Sequence, residues 1–404
     1  MPVVCSWARI ARMAGCRSRT CRSGMLRCPN AQIKMEGLVP MENVSGRFGD
    51  MTDIPRIPIA RESFLQMHRF AKLICLLESN PAYSRNLSSS LPNVALFKPT
   101  YSSVLMGFDF HLTDSGPRLI EVNNNAAGLF SNKWKCWLPQ PEVPEMRGTL
   151  LGRLKMMFPE WKRMLILDLD IENQFFYYEM QAYADLLREL GREVYLTSPS
   201  HVSLSRDNAL NFNGKIVDGI YNRCTDFYLE DDLMASVKKA YLSGKVGLSP
   251  HPRSYALLAD KRRMTDWRKD GFLESCGLSS KEVAFLLDVL PDTRLLSDLD
   301  VEHIWTMRKS LVFKPGTSHG ARGVIIGKSL RRKRFKDMLA QKEQIIVQEY
   351  ISAPEITINN ELFKYDIRLY MTGGTLVGVA ARLFQGVIPR FDHPDSGFYP
   401  ISIQ

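Results

Sequence analysis

Residues 107–123 read GFDFHLTDSGPRLIEVN. Strand-like runs at 104–110 and 118–123 flank the turn formers Asp114, Ser115 and Gly116, so the stretch predicts a β-hairpin. Side chains two apart on a strand share a face, which puts Glu121 and Asn123 together, with Asp109 near the end of the paired strand. Three oxygen donors on one surface suit Mg²⁺, which takes a few carboxylates along with phosphate oxygens and retained waters. Polar strand ends facing water would read the same way, so the hairpin alone does not decide between them.

Working outward, residues 61–79 space Phe64, Met67, Phe70, Ala71, Ile74 and Leu77 at helical intervals and predict an amphipathic helix. A strand is expected at 94–98 (VALFK), and 133–162, with Pro139, Pro141 and Pro144 before a helix, reads as a connection. At 163 the texture changes. RMLILDL, FFYYEMQAYADLLREL and EVYLTS give strand, helix and strand, a right-handed βαβ unit. With VDGIYNR, DDLMASVKKAYLSG and VGLSP, it extends into a small open parallel α/β domain. No G-x-G-x-x-G follows the first strand, which excludes a dinucleotide fingerprint. Arg223 in YNRCTD is either an anion contact or half of an internal salt bridge.

From 256 the sequence predicts a helix around ALLADKRRMTDW, a strand at 310–315, a loop GTSHGARGV, a strand GVIIG, a basic helix RRKRFKDMLAQK and a strand at 345–351. Lys314 ends a strand, and Gly316, Gly320 and Gly323 follow it. Glycines admit an anion close to backbone N–H groups and the lysine adds charge, although a plain flexible turn has the same composition. FKYDIRLYMT and TLVGVAARLFQG form a second hairpin across Gly373 and Gly374. It brings Arg368 and Arg382 to facing strands, with Asp366 on the same face. Two converging arginines fit an anion between them or a surface salt-bridge network.

The 404 residues are 45% hydrophobic and 24% charged, which excludes a wholly disordered chain and a disulfide scaffold. The net charge of +10 suggests nucleic acid, but residues 1–34 hold seven basic residues and no acidic one, leaving 46 basic against 43 acidic beyond them. The run Arg331 to Lys336 has no interleaved aromatics to stack bases and reads as a solvated helix face. No nucleic-acid partner is expected. The tail is either an organellar transit segment or an over-extended start with Met35, Met41 or Met51 as the first residue. Cys16, Cys21 and Cys28 lack paired zinc spacing, while Cys75, Cys136, Cys224 and Cys276 read as reduced core thiols. No apolar run reaches membrane-spanning length, so a cytoplasmic protein with no membrane partner is expected.

Lys261 in ADKRR, Lys314 in VFKP, the loop GTSHGARG, the hinge-like VQEYI, Asp366 and Arg368 in YDIR, Arg382 in AAR, and Asp109, Glu121 and Asn123 together resemble the ATP-grasp superfamily, and within it glutathione-synthetase-like ligases. The usual motif order places E-x-N last; here it comes first, which implies a circular permutation. The resemblance implies an α/β protein with α+β lobes: a circularly permuted ATP-grasp fold with a small open parallel α/β domain. Its segments would be a basic, disordered tail (1–50), the metal-binding part of one lobe (51–135), a connection (136–162), the α/β domain (163–255), the nucleotide lobe (256–351) and the rest of the first lobe (352–404).

The resemblance also assigns roles. Lys261 and Lys314 would contact ATP phosphates under the loop of Gly320 and Gly323. Gln348, Glu349, Tyr350 and Ile351 would receive adenine, and Asp366 would face the ribose. Arg368 and Arg382 would hold the transferred phosphate and the substrate carboxylate, and Asp109, Glu121 and Asn123 would bind Mg²⁺. The implied activity is an ATP- and Mg²⁺-dependent ligation of small-molecule carboxylate and amine through an acyl phosphate. The alternatives are a kinase acting on a hydroxyl and a catalytically silent nucleotide-binding protein; a homo-oligomer is left open.

Overall fold

The computed structural model describes residues 55–130, 149–317, 323–387, 389–391 and 393–404, all within the compact unit Ile54–Gln404. The expectations for the tail 1–50, Cys136, the proline-rich part of the connection and Gly320 lie outside the described residues.

The hairpin at 107–123 joins the distant hairpin at 361–384 in one antiparallel sheet. Its strand order is Gly397–Tyr399, Thr375–Phe384, Glu361–Thr372, Met106–Thr113 and Gly116–Asn123, with Glu355–Ile358 also paired to Glu361–Thr372. Alternation decides which face is dry. Phe108, Phe110, Ile367, Leu369, Met371, Ala381 and Leu383 form one core with the helix Arg61–Leu77, which contributes Phe64, Met67, Phe70, Ala71, Ile74, Cys75 and Leu77. Phe70 meets Phe110 edge to face at 5.9 Å. The intervening positions Asp109, Asp366, Arg368 and Arg382 therefore lie on the opposite face. Gly373 and Gly374 both have positive φ, +54° and +83°, as a tight two-residue hairpin turn requires.

The Met106–Thr113 and Gly116–Asn123 strands pair Asp109 with Glu121 but Phe110 with Leu119, so Ile120 is the extra residue of a β-bulge. A short parallel pair, Ile57–Ile59 on Ile401–Ile403, was not legible in the sequence.

The α/β unit is a four-stranded parallel sheet in the order Gly247–Ser249, Gly219–Asn222, Arg163–Leu167, Glu193–Thr197. The chain leaves the Arg163–Leu167 strand toward one side and returns on the other, so a topological switch point falls between Leu167 and Asn222. Crevices at such points are where ligands bind in open α/β sheets. The sequence reading missed a three-stranded meander, Ser203–Leu204, Leu210–Phe212 and Lys215–Ile216, in the connection between these strands.

A third, antiparallel sheet runs Thr293–Leu295, Ile345–Glu349, Leu311–Pro315, Ile325–Ile326. The helix Arg332–Leu339 buries Phe335 and Met338 on it while Lys333, Arg334 and Lys336 stay exposed, so the basic run is a solvated face.

Two local expectations are corrected. Residues 94–98 are not a strand: after Pro92 the chain forms the short helix Asn93–Leu96, because a brief apolar run does not distinguish the two periods. The helix expected through 256–267 is broken into a π-helical turn, Tyr255–Ala259, an extended Asp260, and the helix Arg262–Trp267. π-turns are frequent at functional sites; this one ends just before Lys261.

Candidate active site

Asp109 is the centre of the polar face. Its neighbours across the sheet are Arg368 on one strand and Glu121 on the other, while Arg382 lies opposite Asp366. Arg368 donates from Nε and Nη2 to the two Asp109 oxygens at 2.6 and 2.7 Å, and Arg382 Nη2 donates to Asp109 Oδ2 at 2.7 Å. Arg382 also grips both oxygens of Asp366 at 2.7 Å. Asp109 and Asp366 are 0% and 1% exposed. Burial presses the Asp109 carboxyl up, but Arg368 and Arg382 outweigh it and hold its pKa below the usual range. Arg382, despite burial, is held firmly protonated by Asp109 and Asp366.

Both oxygens of Asp366 are thus held by Arg382. Asp109 accepts a further hydrogen bond from Asn123 Nδ2 at 2.9 Å and does not line the cleft; its two oxygens are shared by Arg368, Arg382 and Asn123. Glu121 and Asn123 do line the cleft. Asn123 Nδ2 points at Glu121 Oε1 (3.3 Å) as well as Asp109, fixing the amide. Among the described residues no group of three or more His, Cys, Asp or Glu could hold a metal. A carboxylate and an amide oxygen, completed by phosphate oxygens and water, nevertheless fit the hard-donor chemistry of Mg²⁺.

Lysines approach the same carboxylate. Lys261 Nζ lies 3.8 Å from Glu121 Oε2. Burial presses the Glu121 pKa up, yet Lys261, helped by Lys314 and Arg382, brings it below the ordinary value. Lys314 is 6% exposed and donates to Gln348 Oε1 (2.6 Å) and to the carbonyl of Ile120 (3.0 Å), the bulged residue. Burial pulls its ammonium down to about 8, with Glu121 opposing.

The hinge 348–351 is engaged in a way the sequence did not reveal. The N–H groups of Glu349 and Tyr350 donate to Asp292 and Ser310 carbonyls at 2.8 and 2.9 Å. His111 Nδ1 donates to the Ile351 carbonyl at 2.9 Å, and Arg118 pairs with Glu349 at 2.7 Å. His111 and Arg118 are neighbours on the quoted hairpin, and their closeness in sequence to Asp109 and Glu121 was the available signal. Gly323 has φ +75°, a conformation glycine supplies without strain, and a Cβ there would meet Pro315 Cγ at 2.8 Å.

A cavity of about 310 Å³ joins these elements to the switch point of the parallel sheet. Arg368, Arg382, Lys261, Glu121 and Asn123 line one end, and Asp168 and Arg223 the other. The internal salt bridge entertained for Arg223 gives way to neutral partners: its Nη1 donates to Asn125 Oδ1, to the Ala126 carbonyl (3.1 Å) and to Tyr221 Oη (3.3 Å). Glu179 ties this loop down by accepting from the N–H groups of Gly128 and Phe130.

The sequence profile of the Tubulin-tyrosine ligase family matches residues 259–388, the span that holds Lys261, Lys314, the hinge, Asp366, Arg368 and Arg382. Among solved structures, the chain is similar to the apo form of a glutathione synthetase-like effector, GSS30, from Globodera pallida. The identity is 12% over 86% of this chain and 88% of that one, with a TM-score of 0.55. The chain is an ATP-grasp protein by fold. A protein assigned as gamma-glutamylcysteine synthetase from Methylobacillus flagellatus KT is similar at 14% identity over 85% of this chain and 87% of that one, with a TM-score of 0.47. No curated protein sequence matches the chain. In this ATP-grasp protein, no helix among the described residues is long and apolar enough to cross a membrane. Cys75, Cys224 and Cys276 are buried free thiols.

Proposed function

We propose that this protein is an ATP- and Mg²⁺-dependent ligase that joins a small-molecule carboxylate to an amine through an acyl phosphate. The observation that carries the reading is the pair Arg368 and Arg382, oriented by buried carboxylates, facing Glu121, Asn123 and Lys261 across one cleft of an ATP-grasp fold. We also propose that the motif order is circularly permuted. The hairpin at 106–123 supports this by pairing directly with Glu361–Thr372, the strand that carries Asp366 and Arg368.

In this mechanism a carboxylate oxygen attacks the γ-phosphorus of ATP, the bond to the β–γ bridging oxygen breaks, and ADP leaves. The amine nitrogen then attacks the acyl carbon, its proton passes to solvent, and inorganic phosphate departs with the former carboxylate oxygen. Such a transfer needs charge neutralisation and alignment more than a protein nucleophile. Arg368 and Arg382 hold the carboxylate and the transferred phosphoryl group, locked in plane by Asp109 and Asp366. Lys261 and Lys314 would contact the phosphates. Glu121 and Asn123 would hold Mg²⁺, which when bound neutralises phosphate charge. Adenine would meet the hinge 348–351. Arg223 and Asn125 at the switch point would anchor the far end of the acyl substrate.

A panel of carboxylates incubated with ATP, Mg²⁺ and hydroxylamine tests this. Hydroxamate with stoichiometric ADP is expected for at least one carboxylate; a stable phosphorylated product with no hydroxamate would replace the ligase with a kinase.

A further inference from the structure

Phe175, Phe176, Phe391 and Phe398 line the cavity that also holds Arg368 and Arg382. Phe398 sits directly opposite Arg382 in the antiparallel pair of Thr375–Phe384 with Gly397–Tyr399, so ring and guanidinium share a face. From Phe398 the ring contacts close a circuit: to Phe391 at 5.1 Å, on to Phe175 at 6.3 Å, then to Phe176 at 4.9 Å and back to Phe398 at 6.1 Å. Two of the rings come from the turn before the helix Tyr177–Glu189 and two from the end of the chain, so no local periodicity announced them.

The aromatic wall is held from behind. Phe398 is 4% exposed, and a Cβ on Gly128 would meet its ring at 2.2 Å, so this glycine, with φ +97°, gives the ring its room. The Gly128 N–H donates in turn to Glu179, on the helix that follows Phe175 and Phe176. At the open end of the circuit Phe175 is 70% exposed. A single exposed phenylalanine needs no explanation. This one carries a fixed apolar wall into a cavity with charged groups beside it, and apolar lining with a few placed polar groups is the composition of small-molecule sites.

We infer that the carboxylate substrate carries an aryl group, which packs on Phe175, Phe176, Phe391 and Phe398 while its carboxylate meets Arg382. The inference rests on the ligase reading for calling that anion the acyl substrate, and on the wall and Arg382 alone for its binding. Arg382 commits Nε and Nη2 to Asp366 and Asp109, and its Nη1 bonds no described residue. An anion held at Nη1 has Phe398 as its cross-strand neighbour, so the substituent on that carboxylate is the group nearest the wall. Adenine is assigned to the hinge 348–351, which does not line this cavity. Interplanar angles of 49°, 68° and 85° within the circuit present both ring faces and ring edges, the surfaces on which an aryl group packs offset or edge-on.

Ligand-observed NMR on the full chain tests this with hydrocinnamate, propanoate and hydrocinnamamide, with and without Mg²⁺ and the non-transferring β,γ-imido analogue of ATP. Hydrocinnamate should bind about tenfold more tightly than either comparator, one lacking the ring and the other the charge. Phe175→Ala, at an exposed position, should weaken hydrocinnamate severalfold. Adding Phe391→Ala should remove about tenfold in all and leave propanoate unchanged, which general loss of structure would not do. A thermal melt reports the fold, and Phe175→Tyr should retain the preference. Equal binding of the three probes, an undiminished preference in the double variant, or no binding to wild type overturns the inference. So does a double variant that loses the nucleotide analogue instead, which would put the base on the wall. The ligase reading fails separately, if wild-type protein forms no hydroxamate from any carboxylate, because the binding measurement makes and breaks no bond.

Discussion

Asp109 receives both hydrogen bonds of the Arg368 fork, at 2.6 and 2.7 Å, across two strands that lie more than 250 positions apart in the chain. The pair stitches the early hairpin to the late one and also fixes the guanidinium in the cleft. Asp109→Asn retains the size but leaves two buried arginines short of a counter-charge. Breaking such a pair typically costs about 3–5 kcal/mol, so urea unfolding should shift by that order. A loss under about 1 kcal/mol would mean that the arginines do not depend on Asp109.

Glu121→Gln should behave differently. Glu121 is half-buried at the cleft, so stability should change by no more than about 1 kcal/mol. Turnover should fall by roughly 100-fold, because a charge that stabilises the transferring phosphoryl group is plausibly worth about 3 kcal/mol. ADP release measured across a Mg²⁺ titration separates the effects, and unchanged turnover at low Mg²⁺ would remove Glu121 from the site.

The alternation of the quoted hairpin was enough to place Asp109, Glu121 and Asn123 on one face, and the DIR and AAR spacing did the same for Asp366, Arg368 and Arg382. Period-two patterns carry that information directly. What they do not carry is who pairs with whom. The arginines that claim Asp109 are supplied by strands from the other end of the chain, beyond the reach of its local pattern. The bulge at Ile120, which turns a carbonyl to Lys314, adds one residue without any glycine to signal it. The π-turn before Lys261 has the same helical letters as an unbroken helix. The paired strands Ile57–Ile59 and Ile401–Ile403 are three residues long, too short for any periodicity to register.

On the proposed reading, Lys314, pulled down to about 8 by burial, would make nucleotide affinity pH-dependent in an unusual window. The free protein loses this charge as pH rises through 8, whereas an ordinary lysine keeps it to above about 10. ATP affinity should weaken above pH 8, by up to about tenfold per unit while bound ATP retains the proton, and Lys314→Met should flatten that dependence. Isothermal titration from about pH 7 to about pH 9.5 measures it.

Glu78, away from the cleft, provides a stability test. Burial pushes its carboxyl up to about 7, with Ser254 and Arg253 opposing, and its Oε1 has no hydrogen-bond partner among the described residues; neutral His251 lies 3.9 Å away. A carboxyl whose folded pKa exceeds its unfolded value stabilises the fold below the unfolded pKa and loses that contribution as pH rises. Between pH 4.5 and 7 this group should therefore remove about 2–3 kcal/mol. Glu78→Gln should abolish that part of the slope and stabilise the protein at about pH 8, as read from urea midpoints.

The central claim is that a carboxylate oxygen becomes part of the released phosphate. With the carboxylate found by hydroxylamine trapping, prepared with ¹⁸O in both oxygens, the reaction with ATP and amine should yield inorganic phosphate carrying one ¹⁸O and an amide retaining the other, measured by mass spectrometry. Unlabelled phosphate, or ADP with the phosphoryl group retained on the product, would contradict acyl-phosphate ligation.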